Sequence, residues 1–201
     1  MRKNLGRLIR MGARDAVESY YDINKFHGAL THASQNALLY IPELYLQAHI
    51  AARLSGARHR IFVERSLSGI LGLDCDSAIR DKGRIRPDIC IADVLLEAFS
   101  FIEIKRVVSR DEKIDEDICK IEMYGDLMKR ADKRAVSGYV FVYTEGCGES
   151  SNKDMLDRLM TWGGKAGRAG WRIILSKTQI EPRHENWCWG YAIFKYDYVQ
   201  H

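Results

Sequence analysis

The segment Gly138 to Thr144, GYVFVYT, is apolar from end to end, and no other stretch constrains the fold as much. An unbroken apolar run of this length suits a strand covered on both faces, so the chain has to place a sheet in its interior and lay helices over it. Three shorter strands are expected upstream: Ile61-Phe62-Val63, then Ile85 to Ala92, then Phe99 to Arg106, the last two with alternating character. Ser109-Arg110-Asp111-Glu112 is a capping-box signature for a helix running to about Ala131. Ile114, Ile118, Ile121 and Met128 give that helix a buried face, and Lys113, Asp117, Lys120 and Tyr124 fall on the adjoining stripe.

The rest of the chain fits round this centre. The first 35 residues read as one or two helices. Pro42 then suits the first turn of another helix, whose apolar stripe is Ile41, Leu44, Tyr45, Ala48, Ala51 and Ala52, with Glu43 and Gln47 beside it. Ser66 to Lys82 reads as a turn-rich connection. A second capping box, Ser151 to Asp154, opens a helix to about Lys165, and Trp171 to Leu175 and Cys188 to Tyr196 supply the last strands. The expected fold class is α/β, a mixed central sheet flanked by helices. The expected organisation is one domain over 1–201: a helical extension at 1–35, a core at 41–144, and a helix and strands at 145–201 that complete the sheet.

Composition narrows the classes of function. Apolar residues make up 46% and charged residues 29%, enough for a real core. A net charge of +4 permits a polyanionic partner without demanding one. No apolar run approaches the roughly 20 residues of a membrane span, so no membrane partner is expected. The cysteines (Cys75, Cys90, Cys119, Cys147 and Cys188) form no C-x-x-C pair, which argues against a disulfide scaffold or zinc ribbon and for a reducing, cytoplasmic setting. The basic start, with Arg2, Lys3, Arg7, Arg10 and Arg14, lacks the solid apolar core of a secretory signal and reads as a basic surface helix.

Chemistry concentrates in Arg84-Ile85-Arg86-Pro87-Asp88-Ile89-Cys90-Ile91 and Phe101-Ile102-Glu103-Ile104-Lys105-Arg106. Acids inside apolar strands are costly unless partnered. Side-chain alternation puts Phe101, Glu103 and Lys105 on one face, with Glu103 and Lys105 about 7 Å apart along the strand. A hairpin centred near Asp93 to Glu97 can bring Asp88 alongside. Two carboxylates converging at the end of a sheet repel unless a cation lies between them, and hard oxygen donors of this kind suit Mg²⁺ or Mn²⁺. Lys105 cannot bind the ion but can orient or deprotonate water, or offset charge on a phosphate.

At these residues the chain resembles the PD-(D/E)xK nuclease superfamily, whose restriction-endonuclease-like core is αβββαβ. The match is Pro87-Asp88, fourteen intervening residues, then Glu103-Ile104-Lys105, within an element order over 41–144 that covers about half the chain. The resemblance implies Mg²⁺-dependent hydrolysis of phosphodiester bonds in DNA by an activated water, endo- or exonucleolytic, with Mn²⁺ able to substitute. It makes Asp88, Glu103 and the Ile104 carbonyl the metal ligands and Lys105 the catalytic lysine. It also places a further acid on the helix before the first core strand, where Glu43 fits. A polar side chain on the helix after the motif points back to the site, and Lys120 is the first choice, followed by Asp117 and Tyr124.

Competing explanations attach to the same residues. The structural alternative pairs Asp88 and Glu103 with Arg86, Arg106 or Lys105, but a buried ion network is poor stabilisation compared with apolar residues. Glu64 is an alternative third acid. Arg84, Arg86 and Arg106, with Arg58 and Arg60, are candidates for holding phosphates. Trp187, Trp189 and Tyr191 could stack on bases but suit core or edge packing better. The alternative function is a catalytically silent nuclease-like module that binds nucleic acid or a protein. Cutting both strands with one site per chain would favour a homodimer, and sequence-specific cutting a recruiting partner.

Overall fold

A computed structural model describes residues 5–28, 41–55, 59–71, 85–106, 112–147, 170–180 and 187–198. The chain divides into two compact units, Met1–Ala57 and Arg58–His201. The expected helix after 151 and its capping box lie outside the described residues, as do Ser109 of the first capping box and Arg58 and Arg84.

The first unit is a pair of helices, α1 (Leu5–Gly28) and α2 (Glu43–Leu54). They cross where Gly12 leaves room: a Cβ there would lie 2.5 Å from the Ile50 Cα, a distance no larger residue tolerates. Ile9, Ala13, Ala16 and Val17 of α1 and Leu46, Ile50 and Leu54 of α2 are buried. Ile41 and Ala51 of the expected stripe are buried as well, whereas Leu44 is 66% exposed and Ala48 and Ala52 are exposed too, which corrects those three positions. The helix carries two apolar ridges, and the larger one, Leu46-Ile50-Leu54, is the one that packs. Across the pair, Arg53 is bonded to Asp15, and Ser19 Oγ and Tyr45 OH share a 2.8 Å hydrogen bond.

The second unit is a six-stranded mixed sheet with helices. Its elements are β1 (His59–Val63), a short α3 (Leu67–Leu71), β2 (Ile89–Asp93), β3 (Ala98–Arg106), α4 (Glu112–Arg130), β4 (Arg134–Cys147), β5 (Trp171–Ile180) and β6 (Trp187–Asp197). The order across the sheet is β1-β2-β3-β4-β6-β5. β1, β2 and β3 form an antiparallel meander, whose second turn is fixed by Asp93 Oδ1 accepting from the Leu95 and Leu96 amides. α4 then carries the chain back, so that β4 runs parallel to β3; β6 is antiparallel to β4, and β5 lies outside it. The return needs a tight stop after α4. Asp132 supplies it at φ 54°, with the Lys133 amide donating 2.8 Å to the Met128 carbonyl.

The sheet face under α4 holds the core. Ile114, Ile118, Ile121, Tyr124 and Met128 pack on Cys90, Phe101, Val140, Val142 and Phe194. Gly138 makes close approach possible, because a Cβ there would be 2.1 Å from the Ile121 Cγ2. Ile89, Ile102, Ile104, Tyr139, Phe141 and Tyr143 alternate onto the opposite face and are buried as well. The doubly buried β4 that the run from Gly138 demands is therefore observed. Among the described residues no helix is long and apolar enough to cross a membrane.

Candidate active site

The site begins where β2 begins. Pro87 and Asp88 precede the strand, and the Asp88 carbonyl still accepts from the Glu64 amide at 3.1 Å, which holds Asp88 in line with the sheet. The last paired residues of the β2–β3 ladder are Ile89 and Ile102, so one further step sets Asp88 opposite Glu103. Both then face α4, since Cys90 and Phe101 of the same parity lie in the core beneath it. Asp88 Oδ2 accepts a 2.6 Å hydrogen bond from the Ile104 amide, capping the stretch of β3 that extends past β2. In an extended strand the N–H and C=O of one residue leave by the same edge, so the Ile104 carbonyl is also turned towards Asp88.

Glu103 is buried, 3% exposed, which is rare for a glutamate. Its Oε1 accepts a 2.6 Å hydrogen bond from the Tyr124 hydroxyl, whose ring is packed against Phe101 at 5.1 Å between centroids. Its Oε2 faces Lys120 Nζ at 3.6 Å, too long for a hydrogen bond. Lys120 is bonded instead to Asp117 Oδ1 at 2.6 Å, one helical turn back. Asp117 is 2% exposed, and its Oδ2 has no hydrogen-bond partner.

The electrostatics follow from this enclosure. Burial, then the nearby negative charge of Asp88, push the Glu103 carboxyl up to about 8; the Tyr124 bond and Lys120 pull the other way, and Asp117 adds to the rise. Burial opposes the charge on Lys120, yet the Asp117 bond and the Glu103, Asp117 and Asp88 carboxylates raise its pKa overall. Tyr124 is held well above the ordinary phenol range by burial and by Glu103. The charges of Asp88, Glu103 and Asp117 thus all bear on the Lys120 ammonium.

The other candidates fall as follows. Lys105 shares the face of Glu103, is half-buried, and makes no ion pair among the described residues. Arg106 ends β3 on the opposite face, Arg86 is exposed, and Arg84 lies outside the described residues. Glu43 is the first residue of α2, in the other unit from the cluster. Glu64 is exposed, in the left-handed region at φ 51°. Trp189 and Tyr191 are buried and stacked on one another at 5.0 Å, so they pack the sheet and present no open platform for bases. Glu103 is not neutralised by Arg86, Arg106 or Lys105; the cation beside it is Lys120. The sequence left Lys120, Asp117 and Tyr124 in loose rank. The structure uses all three, joined by the i, i+3 spacing of Asp117 and Lys120, a pairing the sequence does contain.

No family model, curated protein or solved structure matches the chain.

The residues themselves can be tested for a cation. Among the described residues no three His, Cys, Asp or Glu side chains are gathered closely enough to hold a metal alone. Two carboxylates and a backbone carbonyl are a different set, which suits a hard divalent ion that keeps several waters. The donors fit: they are oxygen throughout, and among the described residues Glu103 Oε2 accepts no hydrogen bond.

Proposed function

We propose that the chain is a divalent-metal-dependent phosphodiesterase of the restriction-endonuclease-like kind, acting on DNA with Mg²⁺ or Mn²⁺. The observation that carries this reading is Glu103: a carboxyl sunk in a strand, held by a tyrosine hydroxyl, opposite a second acid, with the Lys120 ammonium 3.6 Å away and hydrogen-bonded to Asp117 instead. A buried acid so placed costs several kcal/mol as a purely structural device, and that favours a role for its charge. The element order supports the same reading, with a helix preceding an antiparallel meander and a crossover helix returning to a parallel strand.

In this reading Asp88, Glu103 and the Ile104 carbonyl hold the ion. A bound divalent ion lowers the pKa of water and offsets charge growing on the phosphate. The protein's own groups prepare the place. The Ile104 amide fixes the rotamer of Asp88, and the Tyr124 hydroxyl turns one oxygen of Glu103 away so that the other is presented. Lys105, half-buried on the same face, is placed to hold a phosphate oxygen or to take the proton of the attacking water. Lys120 contributes a second positive charge from α4. The net +4 charge adds a weak, sequence-independent attraction for a polyanion.

Plasmid, linear duplex and single-stranded DNA, incubated with the protein and Mg²⁺ or Mn²⁺, test the reading. Cleavage should appear, stop with EDTA, and be lost in Asp88→Ala and Glu103→Gln. Cleavage that persists in EDTA, or in Asp88→Ala, removes the assignment.

One observation favours a second reading, a silent module that binds nucleic acid or protein. Lys120 already brings a positive charge to Glu103 and Asp117, as an internal substitute for a metal would. That reading expects salt-sensitive DNA binding without cleavage and no rise in melting temperature on adding Mg²⁺ or Mn²⁺.

A further inference from the structure

We infer that Asp117 is a positioning residue which draws the Lys120 ammonium off Glu103 and so keeps Glu103 Oε2 open for a cation. The inference rests on the reading of Asp88 and Glu103 as an ion site, and not on turnover. Lys120 Nζ has two acids to choose from. It is 2.6 Å from Asp117 Oδ1 and 3.6 Å from Glu103 Oε2, so it bonds the helical acid and only approaches the strand acid. Glu103 Oε1 is already taken by Tyr124, which leaves Oε2 as the oxygen an ion would use.

Without Asp117 the balance changes. Glu103 would be the acid within reach of Lys120 that offers an oxygen with no hydrogen bond, and the ammonium would close the last ångström to it. A lysine bonded there competes directly with a divalent ion. Asp117 suits the opposite task because it is buried on α4, one turn before Lys120, where its position is set by the helix. Its second oxygen, buried and unpartnered, marks a carboxylate placed for something other than its own satisfaction.

A double-mutant cycle on the full chain tests this, with Mn²⁺ alone as the probe and free Mn²⁺ read by electron paramagnetic resonance. Asp117→Asn should weaken Mn²⁺ binding about tenfold or more, while Lys120→Gln in the otherwise unaltered protein should change it less than about threefold. In the Asp117→Asn background Lys120→Gln should restore most of the loss, so that the gain from removing the lysine is several-fold larger there. Equal gains in both backgrounds reflect charge alone and overturn the inference, as does an Asp117→Asn protein with undiminished affinity. Melting in EDTA shows whether Asp117→Asn folds. If it does not, Lys120→Gln by itself decides, because a rise of about tenfold in Mn²⁺ affinity means the lysine was competing all along. Failure of the unaltered protein to take up Mn²⁺ removes the ion site, and the proposed function with it; uptake with additive variants removes only the role of Asp117.

Discussion

Tyr124 and Glu103 show how one buried hydrogen bond couples stability to chemistry. The Tyr124 hydroxyl is the only hydrogen-bond donor to Glu103 among the described residues, so Tyr124→Phe should destabilise the fold by about 1–3 kcal/mol in chemical denaturation. The same change removes a stabiliser of the ionised form, and a carbon-13 NMR titration should show the Glu103 carboxyl moving further up. The pH dependence has a definite sign. The folded carboxyl sits at about 8, above its unfolded value near 4.5, so the unfolded chain gives up the proton first. Stability in EDTA should therefore fall as pH rises from about 4.5 to about 8, and Glu103→Gln should remove that part of the slope, as a denaturation series across this range would read. Asp88, Glu103 and Lys105 were legible as a set because ionisable groups in apolar strands are rare enough to stand out. Tyr124 and Asp117 stand only as second choices after Lys120, because polar residues on a helix stripe are ordinary until a partner is known.

The helix α4 and the strand β4 come close at Gly138, and at this scale geometry decides more than composition. Gly138 sits where a Cβ would meet Ile121, so Gly138→Ala must displace the Ile121 side chain or the helix that carries it. A loss of about 1–3 kcal/mol is expected in denaturation. Because Tyr124 and Lys120 ride on the same helix, the Mn²⁺ affinity should drop as well. The strands were readable from alternation and from the apolar run at 138–144. Their limits were not: β4 extends to Arg134–Cys147 and β5 to Ile180, since pairing with neighbours continues a strand past its most apolar part. The face of α2 was misjudged for a related reason. Leucine and alanine on two ridges give one periodicity, and only the notch at Gly12 selects the ridge that is buried.

For the whole molecule, a mild positive charge and a deep acidic site make opposite demands on a polyanion. On the proposed reading, binding to DNA should depend steeply on salt, weakening by about tenfold or more between roughly 50 and 200 mM, as fluorescence anisotropy would record. Cutting both strands with one site in each chain would call for two copies, which the protein concentration dependence of double-strand breaks would reveal. The division after Ala57 places Glu43 with the helical pair. The sequence by itself determined that a sheet must be buried on both faces, that its order is strand–strand–strand–helix–strand, and that charge is set into two of its strands, because periodicity and the cost of burying charge are local properties of the chain. Only the tertiary structure decided that Asp88 stands opposite Glu103, that Lys120 bonds Asp117 in preference to Glu103, and that Tyr124 secures one oxygen of Glu103. The contacts with Glu103 join different elements and are fixed by register and by where a helix can lie close; the i, i+3 spacing of Asp117 and Lys120 allows their pair but does not rank it against Glu103.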